Sequence, residues 1–146
     1  MHHDIPEELA SIAEMTRRFV EKELLPHEAA VERSGAMPPE LRDTLRKRAV
    51  EAGLFGFNMP QEAGGPGLPP LGQVLIREQL GKVGMPLSDT VGRPPHALLF
   101  CDAAQRARFL VPAMNADKYW AFALTEAQAG SDVSAMTTRA IPCEGG

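Results

Sequence analysis

The sequence contains little cysteine, no excess of basic charge and no long hydrophobic run. Cys101 and Cys143 are its two cysteines, and they lie far apart in unlike contexts. They could pair, but two reduced thiols in a cytoplasmic protein are the favoured interpretation. A formal net charge of −4 argues against a nucleic-acid-binding surface or a membrane-surface binder. No apolar run approaches membrane-spanning length, and the acidic, amphipathic N-terminus is unlike a signal peptide.

The composition that remains is typical of a soluble globular protein. Of the 146 residues, 44% are hydrophobic and 23% are charged, which is enough for one domain with a real core. There is no internal repeat and no low-complexity segment. His2 and His3 are too few for a metal site, so we expect no metal.

Hydrophobic spacing predicts a mainly helical chain as far as about residue 115. The predicted helices cover about 4–33, 38–53, 69–84 and 103–115. Pro26 is expected to kink or end the first of them. The basic run Arg42, Arg46, Lys47 and Arg48 on the second is interpreted as a solvated face without functional weight. The third is apolar on two sides, which is typical of a helix sandwiched in a bundle.

The periodicity changes at Tyr119. Trp120, Phe122 and Leu124 alternate with small or polar residues up to Thr125, the period of a strand with one greasy face and one small-sided face. A loop over 127–132 follows, with a glycine, a hydroxyl and several backbone N–H groups. Such a loop can form a concave phosphate-binding site lined by backbone N–H groups, although an ordinary capped turn would have the same residues.

The letters of this stretch resemble the signature of the acyl-CoA dehydrogenase family. ALTE at 123–126 is followed, after two free positions, by AGSD at 129–132 and by Ala135. Every fixed position of the family pattern is met, and Ala127-Gln128 replaces the usual Pro-Gly. A pattern with so many fixed positions rarely matches by chance.

Two further stretches resemble the family at the corresponding places and in the same order. One is the helix end with AGLFG at 52–56, followed by Pro60, Glu62 and the glycine-rich loop that ends at Leu68. The other is QRARFLVP at 105–112. The resemblance covers nearly the whole chain, but the chain is well under half of a typical family member.

The resemblance implies a mainly α fold with an incomplete β-barrel at its end. Residues 1–117 would form the N-terminal all-α domain, and residues 118–146 would begin the middle β-domain. The C-terminal four-helix domain would be absent, so we expect a fragment that is inactive alone. A strand over 119–125 would then have unpaired edges, and Trp120 and Phe122 would lack a covering layer.

The resemblance also implies a flavoprotein oxidoreductase of fatty acid metabolism that introduces an α,β-double bond into an acyl-CoA, with hydride transfer to FAD. Its cofactor-binding residues would be Phe122, Ala123, Leu124, Thr125, Gly130 and Ser131. Ser131 would also border the acyl-CoA substrate. No catalytic residue is expected in this chain, because the family's base is elsewhere and Glu126 is structural. Family members pass electrons to an electron-transfer flavoprotein or another acceptor, and the full-length parent would be a homo-oligomer.

Two alternatives remain open at this stage. One is another flavoenzyme on the same scaffold, such as an acyl-CoA oxidase. The other is a non-catalytic helical module that keeps the fold and binds a partner. Acyl chain length, branching, electron acceptor and pathway are not encoded in any pattern of this sequence.

Overall fold

The structure is a computed structural model, and it describes residues 5–144. Its helices are α1 (Glu7–Phe19), α2 (Leu25–Ser34), α3 (Pro39–Glu51), α4 (Pro70–Leu80), α5 (Met85–Ser88), α6 (Ala103–Gln105) and α7 (Val111–Met114). Short 3₁₀ turns lie at Gln61–Ala63, His96–Phe100 and Val133–Ala135, and π-helical turns at Val20–Leu24 and Arg106–Leu110. The mainly helical prediction is confirmed. None of the helices in residues 5–144 has the length and apolarity needed to cross a membrane.

One helical core holds the first half of the chain. α1 packs along α4, and Gly72 permits this approach because a Cβ there would lie 3.2 Å from Leu9 Cδ2. α3 contributes Leu45 and Ala49, both fully buried. The core also includes the π turn before α2, the end of α4 and the segment after α3, through these buried residues: Val20, Leu24, Ile76, Leu80, Leu54, Phe55 and Phe57.

Both π turns end two residues before a proline. Leu25 N–H donates to the Val20 carbonyl and Val111 N–H to the Arg106 carbonyl, each five residues back. The next residues, Pro26 and Pro112, have no N–H and would clash with the carbonyl four residues earlier in a regular α-helix. Widening one turn lets the helix pass the proline. The first helix therefore continues through Pro26 to Ser34 instead of ending there.

Some helix ends fall where the sequence predicts them, but α4 ends at Leu80, before the predicted end near residue 84. Gly35 closes α2 in the left-handed conformation, with φ of 66°. Asp102 caps α6 through a reciprocal pair of hydrogen bonds with Gln105. A second, smaller cluster of Met59, Ala63 and Leu110 fixes the last helical turns to the 3₁₀ turn at Gln61–Ala63.

The prediction that α4 is buried on two sides is wrong. Leu75 and Ile76 face the core, but Leu71, Val74 and Glu78 are exposed. Phe109, an apolar residue of the helix predicted over 103–115, is also exposed. Two cations, Arg108 and Lys118, lie over its ring. Hydrophobicity alone did not distinguish a core position from a surface aromatic covered by cations.

The strand predicted over 119–125 is not seen in the described part of the chain. Residues 119–125 and 135–141 run without any ladder of backbone hydrogen bonds to a neighbouring segment. An alternating segment becomes a strand only when a partner accepts its backbone groups. The alternation at 119–125 therefore forms no strand in the described residues, and of its aromatic side chains Trp120 packs on the core whereas Phe122 is exposed.

Candidate functional site

Tyr119 and Trp120 attach the tail, which we define as residues 118–144, to the helical core. Tyr119 Oη–H donates to the Asp43 carboxylate, and the Trp120 ring meets Phe55 edge to face with 6.1 Å between centroids. Trp120 is half-buried, so the expectation that it lacks a covering layer is wrong. Phe122, two residues on, is 83% exposed, as expected. The chain thus leaves the core between Trp120 and Phe122.

Arg46 of α3 is the centre of this attachment, and the sequence interpretation missed it. Its side chain is 6% exposed, and its guanidinium lies over the rings of Tyr119 at 4.3 Å, Phe55 at 5.1 Å and Trp120 at 5.4 Å. Arg46 Nη2 donates to the Lys118 carbonyl at 3.2 Å. The basic run of α3 is therefore not a simple solvated face. The sequence did indicate that Arg42 and Arg46 act together, because residues four apart share one side of a helix. In the structure Arg42 also lies over the Tyr119 ring.

The backbone beyond the attachment is unpaired. Among the described residues, no acceptor meets the N–H groups of Phe122, Ala123, Leu124 and Thr125. Their carbonyls likewise accept no hydrogen bond within residues 5–144. Ala123 and Thr125 are exposed and short, so a flat molecule could reach these amides without displacing a large side chain.

The loop that follows is closed by Glu126. Glu126 N–H donates to the Ala129 carbonyl at 2.8 Å, and Ala129 N–H returns a bond of 3.3 Å to the Glu126 carbonyl. The Glu126 carboxylate accepts from the backbone N–H groups of Thr137 and Thr138, both at 2.9 Å, and from Gln128 Nε2 at 2.6 Å. Ala129 is buried under this closed loop. Glu126 is thus engaged by donors and is not poised to remove a proton from a substrate.

These donors hold the pKa of Glu126 at about 2, with hydrogen bonding by Thr138 the largest cause and the Thr137 backbone amide the second. Donors to the charged form favour it, which lowers the pKa from its ordinary value of 4.5. Because the pKa of Glu126 is lower in the folded state, the stabilisation that its ionised carboxylate gives the folded loop is fully present above pH 4.5. That stabilisation is lost as the pH falls through about 2.

We expect the Glu126 carboxyl ¹³C shift to titrate with a midpoint near pH 2. The amide proton shifts of Thr137 and Thr138 should follow the same curve, because both N–H groups donate to this carboxylate. In Glu126→Gln both amides should lose that pH dependence. A midpoint at the ordinary carboxyl value would show that the closed loop does not form in solution.

Gly130 and Ser131 lie at the open edge of this loop. Both are exposed, and their backbone N–H groups have no acceptor among the described residues. A Cβ added at Gly130 would meet no atom within 4 Å. Asp132 accepts from Ser134 N–H at 3.1 Å, which turns the chain away beyond this edge. The six predicted cofactor residues thus present free amides on two neighbouring stretches of the tail.

A cleft of about 560 Å³ lies beside the attachment, and we call it the arginine cleft. Its wall includes Arg46, Asn58, Arg77, Arg93, Trp120 and Phe122. Asn58 Nδ2 donates to the Pro94 carbonyl at 2.9 Å, and His96 Nε2 lies 3.1 Å from the Asn58 carbonyl. These contacts join the loop after α3 to the segment at Pro94 and His96. His96 is exposed, and its ring contacts the Asn58 backbone.

The comparison with known families decides the relationship. A model of the acyl-CoA dehydrogenase N-terminal domain matches residues 6–117. The chain belongs to the acyl-CoA dehydrogenase family. The match covers the helical core, and the tail with its free amides follows it directly.

Three relatives illustrate the range of this family. A 3-(aryl)acrylate reductase of Clostridium sporogenes is 35% identical over 88% of this chain and 34% of its own length. A probable acyl-CoA dehydrogenase of Bacillus subtilis is 31% identical over 97% of the chain and 37% of its own length. The CarC subunit of the caffeyl-CoA reductase-Etf complex of Acetobacterium woodii is 34% identical over 89% and 35%. The chain thus spans about a third of the length of these relatives. No solved structure gives a significant match.

Proposed function

We propose that this acyl-CoA dehydrogenase family chain is the part of a flavoenzyme that holds the flavin edge and its diphosphate. The observation that carries the proposal is the row of free backbone N–H groups at 122–125 and 130–131. Anionic and carbonyl oxygens are the natural acceptors for such amides, and short neighbouring side chains admit a flat ring. FAD offers both a ring with carbonyl edges and a diphosphate.

Each residue has a definite place in this proposal. The N–H groups of Leu124 and Thr125, with the Thr125 hydroxyl, would hold the pyrimidine edge of the flavin, and Phe122 and Ala123 would lie along the ring. Gly130 and Ser131 would hold the diphosphate, and Ser131 would also border the acyl-CoA. When bound, FAD would supply the acceptor for the β-hydride of the acyl thioester. The α-proton requires a base that we do not assign to any residue of this chain.

The domain organisation is part of the same proposal. We assign residues 1–117 to the helical domain and 118–146 to the start of a β-domain. The family match ends at 117, and the chain leaves the helical core just after, between Trp120 and Phe122. Further strands would give the unpaired backbone at 122–125 its ladder partners. Cytoplasmic location, homo-oligomerisation and a role in fatty acid metabolism are retained as parts of this proposal.

The direction of the reaction has a second candidate. Two of the relatives are named as reductases, one of 3-(aryl)acrylate and one of caffeyl-CoA. The same flavin and the same binding residues could serve the reduction of an unsaturated acyl group, because only the electron source changes. The Etf complex in the second name supports an electron-transfer flavoprotein as the partner in either direction. An acyl-CoA oxidase or a non-catalytic module would instead show no dependence on that partner.

Gly130→Val tests the flavin assignment. A branched side chain would project where Gly130 leaves open space, so we expect FAD affinity to fall by about tenfold or more. The measurement is visible flavin absorption per polypeptide in the complete gene product that includes residues 1–146. Ala127→Val is the matched control, because Ala127 is exposed in the same loop but outside the proposed contacts. Wild-type flavin content in Gly130→Val would refute the assignment, and a colourless wild-type protein would favour the non-catalytic module.

A further inference from the structure

The arginine cleft carries more positive charge than the described residues neutralise. Three guanidinium groups line it, those of Arg46, Arg77 and Arg93, and one carboxylate, that of Asp89. Asp89 is 3.8 Å from Arg93, which is long for a charge-assisted pair. Neither Arg46 nor Arg77 forms an ion pair with any described residue. Among residues 5–144, at least two cations of the cleft therefore have no counterion.

The excess of positive charge is unfavourable at Arg46, because its charge is buried. Its side chain is nearly fully buried, and its Nε–H has no acceptor within residues 5–144. Burial disfavours a charged group unless an opposite charge or hydrogen bonds compensate it. The surrounding aromatic rings compensate Arg46 in part. Asp43 accepts a hydrogen bond from Tyr119 and lies near Arg42, and it forms no ion pair with Arg46 within residues 5–144. An anion in the cleft would supply the missing compensation.

Arg77 lines the same cleft. Its guanidinium lies over the ring of Phe57, with 5.9 Å to the centroid, and Phe57 is fully buried. A guanidinium held against a rigid ring loses less conformational freedom on binding than one on a free side chain. Planar guanidinium groups match carboxylate and phosphate oxygens best. The cleft thus has the chemistry of an oxyanion site.

We propose that the arginine cleft binds a carboxylate on the acyl part of the substrate, distal to the thioester. This proposal rests on the proposed function, because Phe122 belongs both to the cleft wall and to the segment assigned to the flavin. The cleft includes Phe122 but neither Gly130 nor Ser131, so it adjoins the residues assigned to the flavin ring and not those assigned to the diphosphate. The substrate class would then be acyl-CoA thioesters of dicarboxylic acids. The same oxyanion chemistry could come from a phosphate of CoA, and the experiment separates the two.

Trp120 provides the measurement. It is the single tryptophan of the chain and lines the cleft, so its fluorescence reports occupancy without any flavin. Glutaryl-CoA, pentanoyl-CoA and free CoA are titrated into the 146-residue chain. Glutaryl-CoA and pentanoyl-CoA have equal acyl length and differ in the terminal carboxylate. We expect glutaryl-CoA to bind about tenfold tighter than the other two ligands.

Arg77→Gln should remove that preference, and the control Lys47→Gln should keep it. Lys47 is exposed, carries the same charge and lies outside the cleft. If all three ligands bind equally and all weaken in Arg77→Gln, the anion is a CoA phosphate and the proposal is overturned. Absence of saturable binding by glutaryl-CoA also overturns it. Because this titration needs no flavin, its failure is distinguishable from failure of FAD to bind the complete gene product.

Discussion

Phe57→Ala is expected to lower the free energy of unfolding by about 3–5 kcal/mol. Phe57 is fully buried in the main helical core, in the segment that follows α3. Removing its ring deletes buried apolar surface and leaves a cavity that the surrounding helices fill only in part. A loss of this size is a large fraction of the total stability of a small domain, about 5–15 kcal/mol.

Phe122→Ala is the matched control for this core substitution. It removes the same ring from a position that is 83% exposed, so we expect a change of at most about 0.5 kcal/mol. Urea unfolding followed by far-ultraviolet circular dichroism measures both variants, because helices dominate that signal. Equal destabilisation by the two substitutions would contradict the position of Phe57 in the core and of Phe122 at its edge.

Gly92→Ala is expected to destabilise the fold by about 1–3 kcal/mol. A Cβ at Gly92 would lie 2.4 Å from the Phe55 ring and 3.1 Å from the Trp120 ring. Phe55 is itself buried, so its ring has little room to move. The Gly92 carbonyl also accepts from Gly56 N–H at 2.8 Å, which ties the backbone in place. The strain would reach the Trp120 attachment as well as the core.

Gly130→Ala is the counterpart of this substitution. The added methyl group meets no atom within 4 Å, so the free energy of unfolding should change by at most about 0.5 kcal/mol. Thermal unfolding gives the stability of both variants, and Trp120 fluorescence reports the attachment directly. If Gly92→Ala kept both wild-type stability and wild-type fluorescence, the close packing of Phe55 and Trp120 on Gly92 would be wrong.

Helix boundaries were predictable because their causes are local. Gly35, Asp102 and the prolines before α3 act through their own backbone or through atoms a few residues away. For Pro26 the sequence left two outcomes open, a kink or an end of the helix. Whether a helix stops at a proline or widens by one turn depends on how much burial the continuing helix gains, and Val31 of α2 is buried in the core.

The role of Arg46 was the main element that pattern reasoning missed. A basic run on a helix usually faces water. The sequence of this run does not show that Tyr119 and Trp120, about seventy residues later, cover Arg46. Glu126 shows the opposite case. Its structural interpretation came from a family resemblance, and the carboxylate is indeed engaged by the amides of Thr137 and Thr138. The assignment of Phe122–Thr125, Gly130 and Ser131 to FAD stays a prediction.

The sequence by itself determined the helical character of the first 115 residues, the helix caps and membership of the acyl-CoA dehydrogenase family, because these depend on local spacing and on short motifs. Only the tertiary structure decided that Arg46 is buried among three rings and that three arginines line one cleft. Those features depend on contacts between residues that are distant in the chain, and such contacts form only when the helices and the segment at Tyr119 pack together.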